Sequence, residues 1–546
     1  MLADLRRAAG ASPHAAGCAV SHGLGLHLGL LVRWRLASCG LSFREDVSSF
    51  GEPESMISAE WGHSSPSRET WEVDASGAGS LLEGDDEEVM LLSGWVRTGA
   101  WLRPDAPIAF EDAAAPPPGD AAAGCVACAA SDVAVLWPAD SCRPAVVLRI
   151  RLTGGSLDAT LHACPDTGVA RLLALRVGGD DEAWAFSRDG SLCVHTTGSG
   201  ARNLYRTDGR GAPPVCEPLF RPPIGSLTSL AGGSFVSGEP SRVPIERSGS
   251  GHTLISMHVN GVSGLAILDT GASGLIVSRR AGDAAKCSAF GSVHVSGAGD
   301  RVAARWRRAD SVRVGPLVLH RPLLLEMETL GLVWGASGPV IGIVGFDLFR
   351  RAIVDMPPSP AAHVFIYPPD HTFDLQPPLP WLTCVMGANV PHLWCTWHGC
   401  ATPELLMVDS GAGGADAILH RRTCERLNMS AVGTFTGTTS LRGVTASSDS
   451  RRVGVAAAAP APPPVATSRR RIDFLELLPG RTAAPGAQGA VRLEPVDTLL
   501  LATEGLFDLA PSMSGVVCNP LLGRCRVVVD LMRRRIAVVR EAAQAG

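Results

Sequence analysis

The sequence predicts a mostly-β chain with two related lobes, preceded by a β-rich, partly disordered extension. Three observations carry this. An apolar strand runs into an aspartate and a glycine turn at residues 264–278 (GLAILDTGASGLIVS), and the arrangement returns at residues 404–419 (ELLMVDSGAGGADAIL). Each copy is followed by the same series: a glycine-containing hairpin, an apolar pair ending in glycine, and a closing strand. Between residues 121 and 240, short apolar runs separated by turn residues offer further strands.

In the first copy, the run 265–268 delivers Asp269-Thr270-Gly271. Burying an unpaired charge costs far more than one apolar side chain returns, so an aspartate at the tip of an apolar strand calls for a partner. Val293-His294-Val295-Ser296-Gly297-Ala298-Gly299 then reads as a strand entering the turn of a mobile hairpin. Residues 311–325 (SVRVGPLVLHRPLLL) give two strands around Gly315-Pro316. Ile341-Gly342-Ile343-Val344-Gly345 leads to a short helical turn over residues 346–351, and residues 352–355 close the unit as a strand.

The partner is supplied by Asp409-Ser410-Gly411, after the apolar run 405–408. Downstream, residues 440–445 with Arg442-Gly443 form a candidate hairpin, and residues 472–478 a strand. Pro520-Leu521-Leu522-Gly523 carries the apolar-apolar-glycine signal, and 527–530 with 536–539 close the unit. Order and chemistry are duplicated, although sequence identity is not. A third triplet, Asp166-Thr167-Gly168, follows a proline and lacks the downstream features, so it reads as a decoy. A single Asp-Thr/Ser-Gly loop is an ordinary turn with its aspartate bonded to its own backbone. Two with matching sequels argue for a site.

This set of motifs resembles the aspartic peptidases, and their retropepsin-like branch more than pepsin, over about residues 250–368 and 385–540. The resemblance implies a pair of double-ψ β-barrel lobes, with one site between them and one catalytic aspartate from each, Asp269 and Asp409. It implies that Thr270 and Ser410 bond across to the opposite loop, and that Ser273 stands beside the outer oxygen of Asp269, where its counterpart Gly413 has no side chain. Ser296, Gly297, Ala298, Gly299, Arg442 and Gly443 fall on the flaps. Gly345 and Gly523 take the place of the glycines that let a strand pass under each catalytic loop. Gly271 and Gly411 lack a Cβ, so two backbones can approach each other.

Departures from the pattern are visible as well. Neither tyrosine, Tyr205 nor Tyr367, lies in a flap. The stretch from Gly523 to Asp530 is three residues shorter than that from Gly345 to Asp355, so the second helical turn should be reduced or lost. Residues 452–468 read as an Ala/Pro-rich disordered insertion in the second lobe.

The chemistry expected of two such carboxylates is general acid/base hydrolysis. Held about 3 Å apart they cannot both ionise, so they share a proton and titrate as a pair. One then takes a proton from water while the other donates to the carbonyl oxygen of a peptide bond. The expected function is an aspartic-type endopeptidase acting on an extended polypeptide, with no cofactor and no metal required. The alternative is a catalytically degenerate, retropepsin-like peptide-binding module. One site per chain fits a monomer better than two separately dimerising domains, because the spacing of Asp269 and Asp409 leaves room for one lobe between them.

The chain has 546 residues, 46% hydrophobic content and a net charge of -5, enough for two or three domains. No basic patch argues for nucleic acid. Residues 1–40 are arginine-bearing and acid-poor, with an apolar run over 15–32 that is short for a membrane span. Organellar targeting, a secretory signal or anchor, and an N-terminus without a role are all open, and membrane association is expected only through that run. Residues 41–120, with Asp85-Asp86-Glu87-Glu88 and Pro116-Pro117-Pro118, read as linker, apart from a strand pair over 91–102. Residues 121–240 read as a small β-rich region in which Cys125 and Cys128 lack a second zinc-spaced pair. The lobes are expected at 241–368 and 369–546. Of the 15 cysteines, Cys395 and Cys400 are the first candidates for a bridge.

Overall fold

The computed structural model describes residues 18–27, 30–50, 57–74, 77, 79–112, 146–155, 157–164, 171–177, 182–187, 191–196, 202–211, 220–223, 230–236, 240–296, 301–327, 333–397, 400, 402–429, 437–439, 465–501 and 513–540. The chain divides into two compact units, Met1–Thr228 with Gly291–Val293, and Ser229–Phe290 with His294–Gly546.

The first unit is built on one antiparallel sheet of 13 strands. Its neighbours are consecutive in the chain except where Cys18–His27 pairs with Arg202–Gly211, joining an early and a late meander. Helix Gly84–Thr98 packs Leu91, Leu92, Trp95 and Val96 into one core with Phe43, Ile150, Leu161 and Trp184.

This corrects the expectation of a linker over 41–120 followed by a separate region over 121–240, since strands from both stretches share the sheet. The expected strand pair at 91–102 is helix, and the reason is local. Asp85, Asp86 and Glu87 occupy the first turn, where the helix dipole favours negative charge. Leu91, Leu92, Trp95 and Val96 recur at helical spacing. Gly99, at φ 75°, adopts the left-handed conformation that ends a helix. The acidic run is therefore a helix start.

The described part of the 15–32 run forms strands Cys18–His27 and Leu30–Cys39, bridged by a Cys18–Cys39 disulfide. No helix among the described residues is long and apolar enough to cross a membrane. The decoy Asp166-Thr167-Gly168 and the pair Cys125 and Cys128 lie outside the described residues.

The second unit carries both aspartates. Its lobes are joined by an antiparallel pair, Ile353–Met356 with Cys525–Asp530, in register Val354↔Val529, Asp355↔Val528 and Met356↔Val527. Three strands from each lobe make the surrounding ribbon: Ser241–Arg247, His363–Tyr367 and Ile353–Met356 on one side, Cys525–Asp530, Arg535–Arg540 and Trp381–Thr383 on the other. Arg526 clamps Asp355 across this junction with hydrogen bonds of 3.0 and 2.7 Å. This is the mostly-β, bilobal aspartic-protease-like fold that the motifs imply.

Within each lobe the strand bearing the aspartate runs parallel to a later one: Val262–Leu268 beside Val340–Val344, and Glu404–Asp409 beside Met513–Cys518. The later strand also pairs antiparallel with the strand beyond the aspartate-bearing loop, Ile276–Val277 or Ala417–Leu419. It thus passes between the two arms of the loop. Glycine is needed at that crossing, because a Cβ on Gly342 would stand 2.0 Å from the Ile276 carbonyl oxygen, and one on Gly515 2.3 Å from that of Ile418.

The registers Leu268↔Val344 and Val408↔Val517 place Cys518, not Gly523, opposite Gly345. Main-chain bonds agree: Phe346 N–H donates to Ala272 and Asn519 N–H to Ala412, both at 2.9 Å. Two expectations are thereby corrected. Gly523 closes a helical turn, Asn519–Leu522, and does not lie under the loop. That turn is not lost either; it has the four residues of its counterpart Phe346–Phe349. The apolar-apolar-glycine signal was taken from the turn itself instead of from Gly515-Val516-Val517-Cys518 in the strand before it.

Cys395 and Cys400 are both free, against the expected bridge. Cys395 is buried on strand Val390–Trp397, its thiol directed to the Leu393 carbonyl, while that of Cys400 donates to Thr402. Within 452–468, the end of the stretch expected to be disordered is the start of strand Val465–Ile472.

In the first unit, Arg97 donates to both oxygens of the buried Glu45 at 2.5 and 2.7 Å, and the Trp61 indole donates to it at 2.8 Å. Removing one charge of a buried pair strands the other, so Glu45→Gln should destabilise this unit by about 3–5 kcal/mol in denaturant titration, and a cost under about 1 kcal/mol would contradict the pairing.

Candidate active site

The loops of the two Asp-Thr/Ser-Gly triplets grip each other through four crossed hydrogen bonds. The Thr270 hydroxyl donates to the Val408 carbonyl at 2.7 Å and accepts from the Ser410 N–H at 2.9 Å. The Ser410 hydroxyl donates to the Leu268 carbonyl at 2.9 Å and accepts from the Thr270 N–H at 3.0 Å. Both side chains are buried at 2% exposure, so these bonds form out of competition with water.

The grip presses each aspartate against the other loop. A Cβ on Gly271 would lie 2.4 Å from Asp409 Cγ, and one on Gly411 2.3 Å from Asp269 Cγ. No side chain fits at either position, which is the physical reason for glycine in both triplets. The two carboxyls therefore stand beside one another between the loops.

Their surroundings differ. Asp269 Oδ1 accepts from the Gly271 N–H at 2.8 Å. Asp409 Oδ1 accepts from Gly411 at 2.7 Å and from Ala412 at 2.8 Å. Each residue is half-buried by surface, yet the loops close round the carboxyls tightly enough for desolvation to dominate. Burial, the nearby Asp409 charge and the bond between the carboxyls hold Asp269 well above the ordinary carboxylate range, against the pull of the Gly271 and Gly411 amides. Burial also raises Asp409, but the bond from Asp269, the Gly411 and Ala412 amides and a nearby histidine draw it back. Burial and mutual proximity thus hold both carboxyls above the ordinary carboxylate range, and such a pair titrates as a unit.

That histidine, His252, was not visible in the sequence pattern. Its ring lies near Gly411 and Asp409, both of which favour its charged form, while burial, the larger influence, pushes its basicity down. Ser250 Oγ holds His252 Nδ1 at 2.8 Å, and Ser248 Oγ holds Ser250 Oγ at 2.9 Å. Gly251, in the left-handed region at φ 88°, turns this segment, and the Asn519 side chain donates to its carbonyl at 2.6 Å.

The far end of each loop is fastened by an acid and an arginine, also unmarked in the motifs. Asp347 accepts from the Leu275 N–H and from Arg351, each at 3.1 Å. Ile276 meets the crossing strand seven residues after Asp269, whereas its counterpart Ile418 does so nine residues after Asp409. The longer second loop is held by Asp416, which accepts from the Asp497 N–H at 2.8 Å and from Arg524 at 2.6 Å.

The remaining expected residues divide. Ser273 is exposed, and among the described residues no hydrogen bond joins it to Asp269, so its expected supporting role is not seen. Gly345 lies under the first loop, where a Cβ would meet the Ala272 carbonyl oxygen at 2.3 Å. Cys518 holds the equivalent place in the second lobe, fully buried, its thiol raised well above its usual range by burial and by Asp409. Ser296 ends strand Ala289–Ser296, which neighbours Arg301–Arg308 as a hairpin should. Gly297, Ala298, Gly299, Arg442 and Gly443 lie outside the described residues.

Fold and loops together give an aspartic-peptidase-like arrangement, and one family model agrees over part of the first lobe. Residues 255–348 match the family model described as Aspartyl protease. Among solved structures, the chain is similar to Basic 7S globulin from soybean, at 10% identity and TM-score 0.33, covering 56% of this chain and 96% of that one. It is similar to an aspartic proteinase from Irpex lacteus at 12% identity and TM-score 0.34, covering 56% and 99%. No curated protein matches the sequence. The resemblance to the aspartic peptidase superfamily read from the motifs stands.

Thr270→Val removes a donor to Val408 and an acceptor for Ser410, and each buried group left unpaired costs about 1–3 kcal/mol. The variant should melt well below the parent, with Thr270→Ser close to it; equal melting of Thr270→Val would contradict the grip. The raised carboxyls also set a pH dependence. Folding raises their affinity for a proton, so the stability they confer is complete below about pH 3.9 and is lost as pH rises through the folded values. Calorimetry from acid to neutral pH should show a shallower decline for Asp269→Asn than for the parent, and parallel curves would refute the shared proton.

Proposed function

We propose that this chain is an aspartic endopeptidase whose water-activating pair is Asp269 and Asp409. The observation that carries the reading is the set of crossed Thr270 and Ser410 bonds, which presses each carboxyl against the opposite loop. Two isolated carboxylates would repel, whereas a pair sharing one proton has an acid and a base side by side.

Asp409, supported by two loop amides, serves as the base and takes a proton from a water held between the carboxyls. Asp269, which keeps the shared proton, donates it to the oxygen of the scissile carbonyl as the water adds to the carbon. The tetrahedral intermediate then collapses, a proton passes to the leaving amine, and the C–N bond breaks. Each step exchanges protons within the pair, so the original state is regenerated. The substrate is an extended polypeptide that adds its backbone hydrogen bonds to the strands of the site.

A second reading is a peptide-binding module that has lost the reaction. It is favoured by the exposed Ser273, unbonded to Asp269, and by Gly413, which carries no hydroxyl.

Digestion of a peptide library by the full chain at mildly acidic pH separates the two. An endopeptidase should cleave, and Asp269→Asn or Asp409→Asn should each lower kcat/KM by at least about 10³-fold while keeping the parent's circular dichroism. Binding without cleavage by the parent, with affinity unchanged in both variants, would establish the module instead.

A further inference from the structure

A cavity of about 320 Å³ opens beside the second catalytic loop. Arg247, Ser250 and His252 line it from the segment before strand Thr253–Val259, Ala412 from the loop, and Asn519 and Arg524 from the helical turn and just beyond it. Among the described residues no aspartate or glutamate lines it.

Its two arginines are in different states. Arg524 is paired with Asp416 at 2.6 Å. Arg247 bonds the Thr253 hydroxyl through Nη1, while its buried Nε has no partner among the described residues. No carboxylate pairs with Arg247 among those residues either, and burial pushes its basicity below the usual guanidinium value. A partly buried guanidinium with no paired carboxylate is costly, and an anion entering the cavity that Arg247 lines supplies the missing counter-charge. The donor set favours a carboxylate, which matches the planar fork of arginine.

The cavity's position indicates whose carboxylate it is. Ala412 lines the cavity and also donates its N–H to Asp409 at 2.8 Å, so one loop residue touches both the cavity and an aspartate of the pair. An extended peptide advances about 3.3 Å per residue, so a side chain roughly two to four residues from the scissile bond reaches it. We propose that the cavity receives an acidic side chain of the polypeptide substrate and that Arg247 is its ion-pair partner, making Arg247 a specificity-determining residue. This rests on the endopeptidase reading above.

The test is a comparison of matched peptides carrying Glu or Gln at each position around the cleaved bond, digested by the full chain and by its Arg247→Gln and Arg247→Lys variants. At one position Glu should be preferred over Gln by roughly 10- to 100-fold in kcat/KM, the range of a hydrogen bond to a charged group. The ratio should fall to near one in Arg247→Gln and to an intermediate value in Arg247→Lys. Cleavage without acidic preference at any position, or a preference that survives Arg247→Gln, overturns the assignment. So does equal stimulation of neutral-peptide cleavage by inorganic sulfate, which would mark a site for a free anion. If no peptide is cut, the endopeptidase reading fails, and binding decides the inference separately. Tighter capture of Glu peptides than of Gln peptides by the chain, lost in Arg247→Gln, supports the pocket; equal capture refutes it. Should Arg247→Gln not fold, the Glu/Gln ratio of the parent and of Arg247→Lys gives the answer.

Discussion

Everything at the centre of the second unit depends on two hydroxyls, those of Thr270 and Ser410, each bonded to the main chain of the opposite loop. Four short bonds between buried groups leave no slack between the loops. That closeness forbids a side chain at Gly271 and Gly411 and brings the carboxyls together; on the proposed reading, one proton then serves two acids. The sheet junction of Ile353–Met356 with Cys525–Asp530 holds the lobes in the relation this grip requires.

The halves are related without being equal. Asp409 has an extra amide donor and a histidine nearby, while its loop is longer and is fastened through Asp416 instead of an acid on the helical turn. Cys518 stands where the first lobe has Gly345. On the proposed reading, this inequality has a use: a base and an acid are needed at once, and unequal support separates the two roles without a metal or a second residue type.

Much of this was legible in the sequence, since strand periodicity, the two triplets and the sequel after the first reflect local chemistry. Gly523 was misassigned because two apolar-apolar signals lie within a few residues, and only the parallel register with Glu404–Asp409 tells them apart. His252 and Arg247 gave no signal, because their roles come from contacts with segments more than a hundred residues away. The helix Gly84–Thr98 could have been read from its acidic start and Gly99, but a composition rich in Ser, Glu and Gly masked its apolar face. The 13-stranded sheet could not, since pairing of Cys18–His27 with Arg202–Gly211 is set by closure and not by local pattern.

The central claim is that one proton is held jointly by Asp269 and Asp409, and counting protons tests it most directly. In a potentiometric titration near pH 6, where isolated carboxyls are ionised, the parent should bind about one proton more than the Asp269→Asn, Asp409→Asn double variant. Identical proton counts for the two proteins across the acid range would mean that the carboxyls ionise independently, and the account built on their contact would be wrong.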